Sequence, residues 1–481
     1  MRHLPWIALA LLTIVALALG TPRPAALSDD ISGDPALAQR LRDLAPTRGH
    51  QSVAATVITR DTITHAAIGE AAPGAGQPIQ PGDPVELGSI TKTFNGFLLA
   101  DAVARGEVTL DDPVGEHLRA LEGTPLGSVT LEELATHTGG VPPLPPSILL
   151  RGLSTTLSGG NPYATATKEG VLTEAGQLDP MGTRGSEAYS NLGATLLGWA
   201  LADAAGAPDW ATHVDEQLLG PLGVDATFSA NDDEIPSGTV PGFTTNGFAA
   251  THWTSPAFRP AGSSTYTSPA AVAEYAQAIL TDRVPGADAM EPRVDGTGGT
   301  KVGLGWFISQ RDGEPVITWH NGGTDGYRTL LAIDREAGQA VFVVGNTDRE
   351  VDSIGLALIT DQVEVDRPGP GWQMFILPVV ALALIAFAVF SSLRAKSRAE
   401  VIGGAGGAVF GLMLARALGP WALLGGWVWA ALALATAVAI GLGIRRWPRV
   451  PWHPKRWRVL HWLNTGLGVV LALAALLLLR R

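Results

Sequence analysis

The 481-residue sequence predicts an α+β domain joined to a helical transmembrane domain. Three observations predict it. Strand-like runs stand at both ends of residues 34–365, with helical runs between them. Four apolar runs of bilayer length fill residues 373–481. The charge divides along the same boundary. C-terminal to Trp372 stand 12 Lys+Arg against one acid, Glu400, so the formal −12 of the chain hides about −24 over residues 3–371.

Taken in order, Arg2 and His3 precede an apolar run over 7–19, and Ala18-x-Gly20 offers a small-residue cleavage site. Residues 1–20 therefore read as a signal peptide or a signal anchor, and either one exports the downstream chain. Runs 53–59, 302–308, 329–333 and 340–344 are β-branched and bounded by Gly, Asp or Asn, which predicts strands. Runs 91–105, 191–204 and 269–280 carry helical signals. The Pro/Gly-rich stretch 139–160 is expected to be an exposed loop. A helical middle between terminal strands predicts a sheet that joins distant segments.

Residues 366–372, which contain Asp366-Arg-Pro-Gly-Pro-Gly371, read as a linker. The apolar runs cover about 373–393, 401–418, 421–443 and 459–479. Arg394, Lys396 and Arg398 follow the first, and Arg445, Arg446, Arg449, Lys455, Arg456 and Arg458 follow the third. The positive-inside rule puts both basic loops in the cytoplasm and residues 34–365 outside the plasma membrane. The terminal Arg480–Arg481 would then lie outside, against the rule. No acid and no Lys interrupts any span, which argues against an ion-coupled carrier. Gly403, Gly404, Gly406, Gly407 and Gly411 point to close helix packing.

Composition excludes other classes. The chain is 46% hydrophobic and 16% charged, with mean hydropathy +0.20, so it is not disordered. It has no cysteine, hence no disulfide, thiolate metal site or cysteine nucleophile. The acidic body disfavours nucleic acid as a partner. The partners expected are a small-molecule or peptide substrate and the lipid bilayer.

Three motifs could carry chemistry. Gly88-Ser89-Ile90-Thr91-Lys92 opens a helical run and sets Ser89 and Lys92 one turn apart on one face. A serine hydroxyl becomes a nucleophile only when a base takes its proton, and a desolvated lysine amine can be that base. Only five of 481 residues are lysine, which lowers the rate at which Ser-x-x-Lys arises by chance. Tyr189-Ser190-Asn191 comes a hundred residues later, before a helix. A phenol can relay a proton beside a cation, and an amide can hold a lysine and a carbonyl together. Read alone, it is an Asn cap with a half-buried Tyr. Trp319-His320-Asn321-Gly322-Gly323 lies between strand-like runs, where glycines let a substrate backbone approach closely. Read alone, it is a glycine-rich hairpin with a surface histidine. His137-Thr138-Gly139-Gly140 reads as a structural helix end.

Together and in this order, the motifs resemble the serine β-lactamase and penicillin-binding-protein superfamily, and within it the class C-like serine hydrolases. Leu110-Asp-Asp-Pro-Val114, Leu131-Glu-Glu-Leu-Ala-Thr-His-Thr-Gly-Gly140 and Asn346-Thr-Asp348 add to the likeness. The resemblance covers residues 34–365 and leaves the membrane part outside it. It implies an antiparallel sheet flanked by helices, with an all-helical lobe. It also implies Ser89 as acyl-accepting nucleophile, Lys92 and Tyr189 sharing acid and base duty, and Asn191 orienting Lys92 and the substrate amide. Gly322 would fill the motif's glycine, and the N–H groups of Ser89 and Gly323 would form an oxyanion hole, with no metal and no cofactor. His320 stands where many members carry the lysine of Lys-Thr-Gly, and Pro180-Met181-Gly182 departs from the usual Pro-Gly. Neutral histidine grips a carboxylate less well than lysine. In the family this pattern is more like esterases, D-aminopeptidases and related peptidases than efficient β-lactamases. The implied function is a membrane-anchored extracytoplasmic serine hydrolase of esters or D-amino-acid-type amides. The alternative is a non-catalytic or acylation-only sensor of cell wall or β-lactam that signals through the membrane helices.

Overall fold

A computed structural model describes residues 21–310, 314–360, 376–452 and 458–478. The expected signal segment, the 366–372 linker and Arg480–Arg481 lie outside the described residues. The strands are β1 (Ile31–Gly33), β2 (Ser52–Thr59), β3 (Ile63–Gly69), β4 (Val85–Glu86), β5 (Ala226–Phe228) and β6 (Thr265–Thr267). They continue as β7 (Val294–Asp295), β8 (Lys301–Val302), β9 (Phe307–Ser309), β10 (Ile317–Gly323), β11 (Arg328–Asp334) and β12 (Gln339–Gly345). The helices that frame the sheet and the site are α1 (Pro35–Leu44), α2 (Lys92–Ala104), α3 (Leu131–Ala135), α4 (Pro146–Ser158), α5 (Asn191–Ala204), α6 (Pro269–Leu280) and α7 (Asp352–Ile359).

Nine strands form one antiparallel sheet in the order β1-β3-β2-β12-β11-β10-β9-β8-β7. The β2–β12 pair, in register Thr56↔Phe342, joins the two ends of the domain. Period-2 alternation gives the sheet two apolar faces. Val53, Ala55, Val341 and Val343 pack with Leu37 and Leu41 of α1 and Ile354 and Leu358 of α7. Ala54, Ile58, Phe342 and Val344 face the larger core with Tyr275 of α6 and Phe97 of α2. Fully burying an aliphatic or Phe side chain contributes about 1.5–3 kcal/mol, so these two layers hold the sheet.

Caps set where the helices start. Ser190 Oγ accepts the Gly193 N–H at 2.8 Å and begins α5, while Thr130 and Glu133 form a capping box on α3. The helices expected over 191–204 and 269–280 have those bounds, and 91–105 becomes a short 3-10 turn, Gly88–Thr91, running into α2.

Three expectations need correction. The run 302–308 is two strands, β8 and β9, because Gly305 turns the chain at φ +72°. The stretch 139–160 holds helix α4, since Pro146 sits at its first turn, where a missing N–H costs nothing, and Ser-Ile-Leu-Leu comes next. His320-Asn321-Gly322-Gly323 lies within β10, paired to β11, and the turn comes after it.

The C-terminal part forms four helices: α8 (Ile376–Arg394), α9 (Arg398–Leu418), α10 (Gly426–Arg446) and α11 (Arg458–Leu478). By length and apolarity, Arg398–Leu418 and Gly426–Arg449 are long enough to cross a membrane, and Val379–Ser391 and Thr465–Ala475 are shorter apolar segments. Small residues bring α9 close to two neighbours. Gly404 and Gly411 face Ala388 and Ala381 of α8, and Gly406 meets the backbone of Gly468 on α11. The basic connections gather at one end, where the Arg398 amide donates to Pro451 O at 2.9 Å and Arg446 Nε donates to Ala395 O at 2.8 Å. At the other end the α9–α10 turn meets the N-terminal body's loop around Asn246. Asn246 Nδ2 donates to Ala417 O (3.1 Å) and Gly419 O (2.9 Å), Arg48 donates to Trp421 O (3.2 Å), and the Arg416 guanidinium lies 4.5 Å from the Phe248 ring centre.

Candidate active site

The site forms where the turn before α2 meets the end of β10. Gly88 holds φ +65°, which L side chains rarely adopt. Its carbonyl accepts the Thr91 hydroxyl at 2.7 Å, and the preceding Leu87 carbonyl accepts the Thr329 hydroxyl from β11 at 2.7 Å. Gly322 lies against the Leu87 carbonyl, and Gly262 against the Gly88 carbonyl. Glycines on three segments thus let three backbones converge on Ser89.

Lys92 begins α2 and is 1% exposed. Its Nζ lies 2.9 Å from Ser89 Oγ and 2.6 Å from Ala261 O. Burial holds its pKa well below the usual lysine range, which favours the neutral amine. The carbonyl it meets is fixed in turn. Asn95 Nδ2, one turn along α2, donates to Pro260 O (3.1 Å) and Ala194 O (3.2 Å), tying α2 to α5 and to the turn bearing Ala261.

The Tyr189 ring lies 4.9 Å from Lys92 Nζ and lines the same cleft as Ser89. Burial raises the phenol pKa, so Tyr189 stays protonated. Ser89 therefore stands between a buried amine and a buried phenol.

His320 is 1% exposed, with its Nδ1 2.6 Å from Asn321 O. That contact places the proton on Nδ1 and leaves the Nε2 lone pair, which has no hydrogen-bond partner among the described residues. Burial, the largest cause, lowers its pKa to about 3. His320 is a neutral imidazole at neutral pH, 6.4 Å from Tyr189 between ring centres.

Asn191 departs from its expected place. It opens α5, and its side chain interacts with the Tyr163 hydroxyl. Among the described residues no hydrogen bond joins it to Lys92, whose amine is taken by Ala261 O. Gly322 and Gly323 line the cleft with Ser89 and Tyr189. Among the described residues the pairing of β10 with β9 stops at Trp319, so residues 320–323 present an open edge.

The cleft has a volume of about 540 Å³, with Trp253, Phe307, Asn321 and Arg328 among its other walls. Glu86, 2% exposed, bonds His252 Nδ1 at 2.7 Å and accepts the Trp253 N–H at 3.5 Å, so it fixes one wall. Sequence reasoning misses these wall residues, since aromatic and Arg positions carry no local signature. It also treats His137 as purely structural. The residue sits at φ +59°, its Nδ1 accepts the Ser190 N–H at 3.3 Å, and its ring lies 4.6 Å from that of Tyr189. Its neighbour Thr138 and the glycine pair mark a chain reversal, and the reversal is what aims the imidazole at Tyr189. Among the described residues no group of three or more His, Asp or Glu has metal-binding geometry.

A β-lactamase family model matches residues 37–363. The chain is 28% identical over 326 residues to the D-alanyl-D-alanine-carboxypeptidase/endopeptidase AmpH of Escherichia coli, covering 62% of this chain and 79% of that one. It is 29% identical over 170 residues to a β-lactamase of Yersinia enterocolitica, covering 35% and 40% of the two chains. Among solved structures, a class C β-lactamase from Rhodobacter sphaeroides superposes with a TM-score of 0.55 at 22% identity, over 66% of this chain and 95% of its own.

Proposed function

This chain belongs to the β-lactamase family and is a class C-like serine hydrolase. We propose that it works from the outer face of the plasma membrane, held there by its C-terminal helices, on esters or D-amino-acid-type amides. The observation that carries the chemical reading is the 2.9 Å approach of buried Lys92 Nζ to Ser89 Oγ, with the Tyr189 ring 4.9 Å from the same amine.

In the proposed cycle Ser89 Oγ attacks the substrate carbonyl as its proton passes to the neutral Lys92 amine. The N–H groups of Ser89 and Gly323 stabilise the developing oxyanion; removing one such donor costs about 100- to 1000-fold in other enzymes. Tyr189 delivers a proton to the leaving group and recovers it through Lys92. Water or another acceptor then takes the acyl group from Ser89. Gly322 keeps the β10 edge open for the substrate. Asn191 acts through Tyr163 on the cleft wall, a positioning role in place of the contact with Lys92 expected for it. His320, neutral and buried, supplies no fixed positive charge for a substrate carboxylate.

Support for export and anchoring comes from the gathering of the basic connections at one end of the helices and the docking of the hydrolytic body at the other. That docking also favours a second reading, an acylation-only sensor that reports through the helices. The test is covalent labelling by a fluorophosphonate beside turnover of p-nitrophenyl esters, D-alanyl p-nitroanilide and nitrocefin. Labelling and turnover lost together in Ser89→Ala support the hydrolase. A stable adduct without turnover supports the sensor. Turnover that survives Ser89→Ala contradicts both.

A further inference from the structure

Helix α4 is unlike the rest of the acidic body. From Leu134 to Thr167 the chain carries one charged side chain, Arg151, within a body whose net charge is about −24. The Arg151 guanidinium is turned inward, where Nη1 donates to Pro162 O at 3.0 Å. Leu149 and Leu150 point outward, 49% and 69% exposed, and Leu150 is the most exposed large apolar residue described outside the C-terminal helices. The helix also lies against α11, one of the apolar C-terminal helices.

Both flanks of α4 are built into the cleft. Before it, Pro142 O accepts the Ser190 hydroxyl at 2.8 Å and Pro143 O accepts the Asn191 N–H at 3.1 Å, next to Tyr189. After it, Asn161 Nδ2 donates to Thr254 O at 2.6 Å, and the Tyr163 ring lies 5.2 Å from that of Trp253, a cleft wall.

We infer that α4 is seated in the headgroup layer of the membrane that holds the C-terminal helices, so that the cleft takes its acyl substrate from an amphiphile resident in that bilayer. The inference rests on the membrane-anchored reading of the chain. An interfacial helix buries an apolar face about 5–10 Å into the headgroup and acyl boundary, and exposed adjacent leucines beside an apolar C-terminal helix provide that face. Charge points the same way. An acidic surface is repelled by anionic lipid within a Debye length of about 8–10 Å, and the segment touching α11 is the one that lacks acids. Contact between α4 and α11 makes the apolar surface continuous from the bundle to the cleft wall.

The chain has no cysteine, so one introduced thiol reports one place. Full-length Leu150→Cys, labelled with NBD, is reconstituted into phosphatidylethanolamine/phosphatidylglycerol vesicles with and without doxyl-labelled lipid, beside Asp61→Cys on the β2–β3 turn. Vesicle flotation is measured first. Quenching by at least about half at position 150, with little at 61, is expected. Leu150→Glu is expected to lower the rate on a vesicle-embedded long-chain p-nitrophenyl ester about tenfold or more, and to leave the rate on soluble p-nitrophenyl acetate within about twofold. Protein that does not float contradicts the anchoring reading, and this inference falls with it. Protein that floats with position 150 unquenched overturns the inference alone. Equal loss on both esters overturns the bilayer source of the substrate.

Discussion

Gly88 and Gly323 meet backbone to backbone. A Cβ placed on Gly88 would lie 2.7 Å from the Gly323 nitrogen, closer than real Cβ contacts come. The Ser89 turn and the open end of β10 are therefore set against each other by the absence of a side chain.

Gly88→Ala tests that relation. The added methyl must push β10 from the Ser89 turn while also holding an unfavourable φ of +65°. We expect kcat/KM to fall about 100-fold or more, because misplacement by about 1 Å costs that much, and stability to fall by about 1–3 kcal/mol. Gly106→Ala is the control, at φ +73° with open space around it. It should lose stability and keep activity. Equal activity losses at both positions would refute the argument.

The pH dependence of kcat/KM should be set by Lys92. Burial lowers its pKa, and the proposed base is the neutral amine, so the rate should rise with pH through that lowered pKa and then level off. The Tyr189 pKa is raised, so no alkaline fall from the phenol is expected below pH about 10. Lys92→Arg cannot lose its proton and should cost about 1000-fold. A rate that falls as pH rises from acid to neutral would contradict the assignment.

His137 should act on Tyr189 through packing. Asparagine tolerates a positive φ, so His137→Asn keeps the turn and removes the ring beside the phenol. Steady-state kinetics should show kcat lower by about 10- to 100-fold with KM changed little. An unchanged kcat would return His137 to a purely structural place.

Mild acid should destabilise the protein. His50, His137 and His320 each have a pKa of about 3, caused first by burial, against 6.5 when unfolded. Between pH 6.5 and 3 the unfolded chain binds protons that the folded chain does not, so stability is lost as pH falls through that window. Neither ring nitrogen of His50 has a hydrogen-bond partner among the described residues. His50→Leu should therefore flatten the fall in Tm of the full-length protein between pH 6.5 and 4. An unchanged slope would show that burial of this ring does not drive the acid loss.

Much of the fold is readable from residue order. Strands β2, β11 and β12 and helices α5 and α6 are marked by β-branched runs, Ser caps and Pro at a first turn, all local signals. The Ser89, Lys92 and Tyr189 set is readable because its spacing is characteristic. The unreadable part depends on distant contacts. Helix α4 is hidden because its prolines stand at its start, where they favour a helix, while in sequence they look like loop punctuation. His320 reads as a surface histidine until β10 pairs with β11 and its ring is buried beside Phe307, 5.3 Å away. The place of Asn191 depends on Tyr163, 28 positions earlier and with no motif to mark it.

The most direct test is intact-protein and peptide mass spectrometry of the full-length protein, acid-quenched during turnover of a p-nitrophenyl ester. The account predicts one acyl group, located on Ser89, that accumulates in the wild type, is absent in Ser89→Ala, and forms about 1000-fold more slowly in Lys92→Arg. Continued turnover with no acyl group on Ser89, or with the acyl group on another residue, would contradict it.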